Sequence, residues 1–210
     1  IVANPNCQTI QMVVALKPLH DLFVINRIDV TTFQAVSGSG KLAQDELQTQ
    51  VRQQLKGEKP SSHIFNKQIA FNVLPHCGEF ETNSYTQEEM KMVWETHRIL
   101  DANIEVSATC VRVPVVNGHS ESVHIETHEP ITIDMAKQCL SEAKGVELLN
   151  EEGPESYATA VEVDGTDSVY VGRLRKDLWN KNRLNLWVVA DNLRKGAALN
   201  SIQIAEILFT

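Results

Sequence analysis

The chain has 210 residues, of which 42% are hydrophobic, and its formal net charge is −8 at pH 7. This length and composition suffice for one large domain with an ordinary core. The negative charge argues against a nucleic-acid or anionic-membrane surface, and no apolar run approaches the roughly twenty residues that span a bilayer. We therefore expect a soluble protein with no nucleic-acid or membrane partner.

The cysteines are scattered along the chain without CxxC spacing, and no secretory signal is present. This pattern predicts reduced thiols in a cytoplasm rather than a disulfide framework, and it predicts no metal site. The chain also begins Ile-Val without a methionine, which indicates that it is the inside of a longer protein. The four cysteines are Cys7, Cys77, Cys110 and Cys139.

Cys7 lies where the first helix is predicted to begin. Pro5 disfavours helical conformation at Asn4, while apolar residues recur at helical spacing from Ile10 onward. The unpaired N–H groups and the dipole of a helix start stabilise a thiolate, so the sequence predicts a lowered pKa and a nucleophilic role for Cys7. The alternative is a buried cysteine that acts as a small hydrophobe.

A glycine-rich turn separates the next two predicted elements. Residues 28–36 are rich in β-branched side chains and predict a strand, and a helix is predicted from 41 to 55. Between them, Gly38-x-Gly40 superficially matches a dinucleotide fingerprint. No acidic residue ends a second parallel strand, because residues 57–62 are loop. A stand-alone Rossmann site is therefore disfavoured, and a glycine turn that contacts a ligand stays open.

The middle of the chain predicts a short strand and a well-capped helix. Residues 69–75 form an apolar run ended by proline, and a capping box beginning at Thr86 predicts a helix to about Asp101. Glu88 and Lys91 lie three residues apart on its first turns. An ordinary surface ion pair would account for them without any function.

The strongest predicted strand covers residues 104–115, and Arg112 lies near its end. A guanidinium among apolar residues needs a carboxylate partner, either in the protein or in a ligand. The following turn carries His119, which can exchange protons near neutral pH, whereas His124 and His128 alternate with apolar residues on another face. A histidine bonded to backbone is the alternative for His119. A cysteine at a helix start and a histidine form the pair that thiol catalysis requires.

The remaining elements complete an α+β fold, a mixed and largely antiparallel sheet with helices packed on one face. A helix is predicted at 132–143, a strand at 146–149, and an antiparallel pair at 168–174 and 184–190. Asp191-Asn192 can cap a final helix. Its apolar face would carry Leu193, Ala197, Ile204 and Leu208.

Five motifs stand in a fixed order along the chain. They are Asn4-Pro5-Asn6-Cys7-x-Thr9, Phe33-Gln34-Ala35-Val36-Ser37-Gly38-x-Gly40, Glu88-Glu89-Met90-Lys91, Cys110-Val111-Arg112-Val113-Pro114-Val115-x-x-Gly118-His119-Ser120, and Asp191-Asn192-Leu193-Arg194-Lys195-Gly196-Ala197-Ala198. Together they closely resemble aspartate-semialdehyde dehydrogenase over the whole chain. The resemblance implies a catalytic and dimerisation domain at residues 1–191. It also implies a terminal helix at 192–210 that packs on an N-terminal nucleotide-binding domain, which would precede Ile1.

The resemblance implies a reaction and its catalytic residues. L-Aspartyl 4-phosphate would be reduced by NADPH to L-aspartate 4-semialdehyde, a step of aspartate-family amino-acid biosynthesis. Cys7 would form the acyl-thioester, His119 would be the acid/base, and Gln34 would orient the substrate beside the thioester. The expected assembly is a homodimer, or a dimer of such dimers.

The resemblance also assigns binding residues. Arg112 would bind the substrate α-carboxylate, Glu88 the substrate ammonium, with Gln34 beside them, and Lys91 would meet the phosphate. The nicotinamide end of NADP(H) would contact a turn and a residue of the last segment. These cofactor contacts would be Ser37, Gly38, Ser39, Gly40, Lys41 and Asn192.

Three alternatives remain at this stage. A sister reductase acting on N-acetyl-glutamyl phosphate would share the cysteine and histidine but would not use Glu88 as an ammonium partner. A cysteine acyltransferase or hydrolase would need no NADPH. A non-catalytic dimerisation module is the third, and we expect the isolated 210-residue chain to lack NADPH-dependent activity.

Overall fold

The computed structural model describes residues 1–209, so Thr210, the last residue of the predicted segment 192–210, lies outside the described residues. Its strands are β1 (Ile25–Gln34), β2 (Glu105–Arg112), β3 (His119–Thr127), β4 (Val146–Leu148), β5 (Val169–Lys176) and β6 (Arg183–Ala190). They form one six-stranded sheet in the order β2-β1-β3-β6-β5-β4. β1 pairs with β2 and β4 with β5 in parallel, and the other neighbours are antiparallel. The predicted mixed, largely antiparallel sheet is confirmed.

The helices are α1 (Cys7–Phe23), α2 (Lys41–Leu55), α3 (Gln87–Ile99), α4 (Ile133–Ser141), α5 (Ala160–Val163) and α6 (Leu199–Phe209). Short 3-10 turns occupy Val36–Ser39 and Gly153–Ser156, and a π-helical turn, Arg194–Ala198, precedes α6. None of these helices within residues 1–209 has the length and apolar character needed to cross a membrane.

The core lies between one face of the sheet and α1, α3 and α4. Side chains at alternate positions of β6 are buried in it, including Leu184, Leu186 and Val188, while the intervening Val189 packs on the opposite face against α5. This alternation follows from the two-residue period of a strand. Helices therefore cover mainly one face of the sheet, as the sequence predicts.

The capping box at the start of α3 forms as predicted. Glu89 N–H donates to Thr86 Oγ1, and Thr86 N–H donates to Glu89 Oε2 at 2.8 Å. The other oxygen of Glu89 accepts from Cys110 N–H of β2 at 3.0 Å. One carboxylate therefore fixes both the start of α3 and its place beside β2, which determines where Glu88 lies.

The predicted strand at residues 69–75 is wrong. This segment forms turns, and only Leu74 makes a β-bridge, with Arg112. Ile69, Ala70 and Leu74 pack against α2 instead, and Gln50 of α2 accepts from the backbone N–H groups of Ile69 and Ala70. Because a buried glutamine satisfies these backbone donors, the apolar run needs no strand partner.

Candidate active site

The first residue of α1, the ends of β1 and β2, and the start of β3 surround a cavity of about 600 Å³. The sheet register explains this convergence, because parallel pairing places Gln34 beside Arg112, and antiparallel pairing places Phe33 opposite Ser120. Most of the predicted site residues line the cavity. They are Cys7, Gln34, Ser37, Gly38, Ser39, Glu88, Lys91, Arg112, His119 and Asn192.

Gly40 and Lys41 do not line this cavity. Gly40, at φ 88°, joins the 3-10 turn to α2, a backbone conformation that favours glycine. Lys41 is exposed on the first turn of α2 and forms an ion pair with Asp45. The glycine turn therefore reaches the cavity with its first half only, residues 37–39.

Cys7 is the first residue of α1, as predicted, and is half-buried. Its Sγ donates to Asn6 Oδ1 at 3.3 Å and to Gln8 Oε1 at 3.1 Å. Burial and, second to it, the Glu88 carboxylate raise the pKa of the Cys7 thiol to about 12. The Gln8 backbone N–H lowers this pKa, as a helix start should, but by less than burial raises it. The prediction of a lowered pKa is therefore wrong in this arrangement, because desolvation outweighs the helix start.

Glu88 links the starts of α1 and α3. Its Oε2 accepts from Asn6 Nδ2 at 3.0 Å and from Gln8 Nε2 at 2.8 Å, while Oε1 accepts from Lys91 Nζ at 3.0 Å. The ion pair that the sequence allows is thus present, yet both partners border the cavity rather than an open surface. The carboxylate keeps 18% of its surface exposed, so a cation in the cavity could approach it.

Arg112 brings a buried positive charge to the cavity. It is 6% exposed, and its Nη1 donates to the Ala35 carbonyl oxygen at 2.6 Å. None of the ion pairs formed within residues 1–209 includes Arg112. Of the two partners that the sequence allows, a protein carboxylate is thus ruled out among the described residues, which favours an anionic ligand.

His119 is the first residue of β3, not a turn residue, and is fully buried. Ala35 N–H donates to its Nδ1 at 3.0 Å, so the backbone contact that the sequence left open is present. With Nδ1 accepting, the proton of the neutral ring belongs on Nε2. Burial, and then the charge of Arg112, lower the pKa of His119 to about 3. The ring is therefore neutral near pH 7.

Two buried donors on residues that line the cavity have no hydrogen-bond partner among the described residues. They are His119 Nε2 and Gln34 Nε2, whose side chains are 0% and 1% exposed. Leaving such groups unpaired is costly, so their presence beside Arg112 indicates a site for an oxygen-rich ligand. Gly38 permits this packing, because a Cβ there would lie 3.1 Å from Arg112 Nη1 and 3.3 Å from His119 Nε2.

Ser37 and Asn192 hold two chain segments together at the cavity wall. Asn192 Nδ2 donates to Ser37 Oγ at 3.0 Å, and Gly118 N–H donates to Asn192 Oδ1 at 2.8 Å. Asp191 caps the following segment by accepting from two backbone N–H groups, as predicted, but a π-helical turn precedes α6. The predicted cofactor residues thus also have a structural role.

Sequence reasoning missed several residues of this site. Gly196 touches Cys7, since a Cβ on Gly196 would lie 2.9 Å from Cys7 Cβ. Asn6 and Gln8 flank the cysteine, and their amide type beside a nucleophile is a signal that could have found them. Glu121 is buried nearby, and its place on the face of His119 follows from the strand period. Within residues 1–209, no cluster of His, Cys, Asp and Glu side chains has the arrangement of a metal site.

Known proteins place this chain in a family. The model of the "Semialdehyde dehydrogenase, dimerisation domain" family matches residues 16–195. Aspartate-semialdehyde dehydrogenase of Shewanella violacea is 58% identical over 210 residues, 99% of this chain and 62% of its own length. The chain therefore spans somewhat less than two thirds of such relatives.

Solved structures agree with the sequence comparison. Aspartate-semialdehyde dehydrogenase II of Vibrio cholerae, complexed with ASA, superposes with a TM-score of 0.95 at 51% identity, covering 99% of this chain and 62% of that one. The Candida albicans enzyme with NADP superposes with a TM-score of 0.67 at 26% identity, covering 99% of this chain and 57% of that one. On the family match, the chain belongs to the semialdehyde dehydrogenase dimerisation-domain family, and it is similar over nearly all of its own length to proteins named aspartate-semialdehyde dehydrogenase.

Proposed function

We propose that this chain is the catalytic and dimerisation part of an NADPH-dependent aspartate-semialdehyde dehydrogenase. The whole protein would convert L-aspartyl 4-phosphate to L-aspartate 4-semialdehyde with release of phosphate. The observation that carries this proposal is the cavity itself, where a cysteine meets a buried arginine without an ion-pair partner and two buried donors. The proteins of Shewanella violacea and Vibrio cholerae, at 58% and 51% identity, are named for this reaction and support the proposal.

The substrate would bind through its charges. Its α-carboxylate would pair with Arg112, whose planar fork suits two carboxylate oxygens. Its ammonium would lie against the partly exposed Glu88, and the phosphate would lie near Lys91, which borders the same cavity. An N-acetylated substrate has no ammonium, so Glu88 favours an aspartyl over an N-acetyl-glutamyl substrate.

The chemistry would take place at Cys7. The Cys7 sulfur attacks the acyl carbon of the acyl phosphate, the carbon–oxygen bond to phosphate breaks, the thiol proton leaves with the phosphate, and an acyl-thioester remains on sulfur. NADPH, when bound, supplies the hydride that reduces this thioester. Gln34 would hold the acyl group beside Sγ.

The role that we propose for His119 differs from the acid/base role implied by resemblance alone. In the tautomer set by Ala35, its Nε2 already carries a proton and cannot accept one from the thiol. It can instead donate to the acyl oxygen, where negative charge develops during attack. His119 is thus proposed as an oxyanion donor with a fixed orientation.

The nicotinamide end of the cofactor would be held by the turn at residues 37–39, with Asn192 supporting that turn. Both border the cavity, and Gly38 lets the backbone approach without a side chain. β1 and β2 are parallel, but the other neighbour of β1 is the antiparallel β3, unlike the parallel strands of a doubly wound dinucleotide-binding sheet. We therefore propose that the rest of the nucleotide binds outside residues 1–209, on a domain against which the terminal segment packs. The exposed Ile202, Ile207, Leu208 and Phe209 of that segment suit such a contact.

The assembly is proposed to be a homodimer formed through the outer face of the sheet. That face carries Asp29, Thr31, Thr109 and His124 around a shallow cavity of about 320 Å³. The matched family is a dimerisation domain, which supports this choice. Sedimentation of the chain would test it, and a monomer at micromolar concentration would refute it.

The full-length protein provides the functional test. Aspartate semialdehyde and NADP should give NADPH only when phosphate or arsenate is present. Arg112→Lys keeps the charge but loses the fork, so it should raise KM and lower kcat while the fold survives. Acyl transfer without nicotinamide oxidation would favour the acyltransferase alternative. Clear NADPH binding by the 210-residue chain alone, measured by fluorescence titration, would refute the proposed dependence on a further domain.

A further inference from the structure

Glu121 is a buried acid that the proposed reaction does not use. It lies on β3 two residues after His119, on the same face, between Thr32 of β1 and Val188 of β6. Its side chain is 0% exposed, and within residues 1–209 neither of its carboxyl oxygens has a hydrogen-bond partner of ordinary geometry. An ionised carboxylate in that setting would lose its hydration without gaining hydrogen bonds that offset the cost.

Gln11 of α1 faces this acid. It lies one helical turn after Cys7, and its Nε2 donates to the His119 carbonyl oxygen at 3.2 Å. Its amide is within hydrogen-bonding reach of the Glu121 carboxyl, yet its Oε1 also has no donor. Three buried acceptor oxygens, one from Gln11 and two from Glu121, therefore lack a hydrogen-bond donor among the described residues. A carboxylic acid group supplies the missing O–H.

We propose that Glu121 is a positioning residue that stays protonated and donates a hydrogen bond to Gln11 Oε1. The neutral link joins the helix that carries Cys7 to the strand that carries His119. The proposal rests on the proposed function only in taking Cys7 as the nucleophile. It is independent of NADPH and of the substrate.

The titratable groups around Glu121 agree with a neutral acid. Cys7 on α1 and His119 on β3 are both uncharged near pH 7, and the neighbouring Thr32 and Val188 carry no charge. Burial raises the pKa of Glu121 well above its ordinary range, whereas Gln11 lowers it by less. A charged Glu121 would also raise the pKa of Cys7. A protonated acid orders the site without that penalty.

An infrared difference spectrum gives the direct test. The full 210-residue chain minus its Glu121→Gln variant, at pH 7, should show the carbonyl-stretch band of a protonated carboxylic acid. Glu126→Gln is the matched control, because Glu126 lies on the same strand but forms an ion pair with Arg183. No such band for Glu121, or the same band for Glu126, overturns the proposal.

Alkylation of Cys7 by iodoacetamide across pH gives a second test that needs no turnover. Glu121→Gln keeps a neutral donor toward Gln11, so the apparent pKa of Cys7 should stay at its wild-type value. A fall in that pKa would mean that a negative charge had been removed, and the proposal would fail. Glu121→Met loses the donor, and alkylation should change by about tenfold, the scale of one orphaned buried acceptor. Gln11→Met should have the same effect, and the double variant should be no worse than either single one.

Discussion

Glu88→Gln separates two roles of the Glu88 carboxylate, which raises the pKa of Cys7 and is proposed to bind the substrate ammonium. Cys7 Sγ is linked to Gln8 Oε1 at 3.1 Å, and Gln8 Nε2 is linked to Glu88 Oε2 at 2.8 Å. This path places the carboxylate roughly 7 Å from the sulfur. At an effective dielectric constant of about 20, one charge at roughly 7 Å disfavours the thiolate by about 2 kcal/mol, or roughly 1.5 pKa units. Removing the charge should therefore lower the pKa of Cys7.

The alkylation rate of Cys7 at pH 8 measures this change. A fall of roughly 1.5 units raises the thiolate fraction about thirtyfold, and the weaker nucleophilicity of a less basic thiolate returns part of the gain, leaving roughly a five- to tenfold faster reaction. In the full-length protein the same variant should lose at least about tenfold in kcat/KM, because the substrate ammonium loses its partner. Glu88→Gln is therefore expected to make Cys7 react faster with iodoacetamide while it lowers kcat/KM of the full-length protein.

Glu95→Gln is the matched control. Glu95 lies on the same helix and accepts from Asn6 N–H at 2.9 Å, but its charge is not among the causes that shift the pKa of Cys7. It should leave the alkylation rate near the wild-type value. If Glu88→Gln slows alkylation, or matches Glu95→Gln, the electrostatic reasoning about Cys7 is refuted.

Three further predictions follow from distances and burial. Gly38→Ala places a Cβ 3.3 Å from His119 Nε2, so the full-length protein should lose activity while thermal stability changes little; unchanged kinetics would show that the turn yields easily. Because the pKa of His119 is about 3 in the folded chain and about 6.5 in the unfolded chain, the unfolded chain binds a proton between these pH values that the folded chain does not bind. Stability measured by urea unfolding should therefore fall as pH drops from 6.5 toward 3, by up to about 1.4 kcal/mol per unit, and His119→Asn should flatten this slope while His124→Asn should not. Limiting iodoacetamide followed by peptide mapping should label the half-buried Cys7 and Cys139 before the buried cysteines, and earlier labelling of a buried one would contradict the packing.

Local signals explain what the sequence could predict. The start of α1 at Cys7, the capping box at Thr86 and the pairing of β5 with β6 depend on neighbours within a few residues or one turn. Such preferences are visible in one dimension. The convergence of Arg112 with Cys7 was foreseen only through resemblance, because strand order and register are not local properties.

Tertiary contacts explain what the sequence could not predict. The sign of the shift at Cys7 depends on burial by distant segments, including Gly196, which lies 189 positions further along the chain by residue number. The apolar run at residues 69–75 has a strand pattern, but Gln50 of α2 takes its backbone donors. A pattern of apolar residues indicates that a segment is buried, not which partner buries it.

The charges around Cys7 give a reason why the proposed substrate would activate its own nucleophile. Burial is the largest cause of the raised pKa and Glu88 is the second, whereas the lowering effect of Arg112 is smaller. A substrate ammonium against Glu88 cancels the effect by which Glu88 raises the pKa of Cys7. A substrate carboxylate on Arg112 cancels only the smaller effect by which Arg112 lowers that pKa. The net result is a lower pKa when both ends of an amino acid are bound. Without such a ligand Cys7 stays mostly protonated and reacts slowly, so a compound that lacks the ammonium should bind through Arg112 without increasing the reactivity of the thiol.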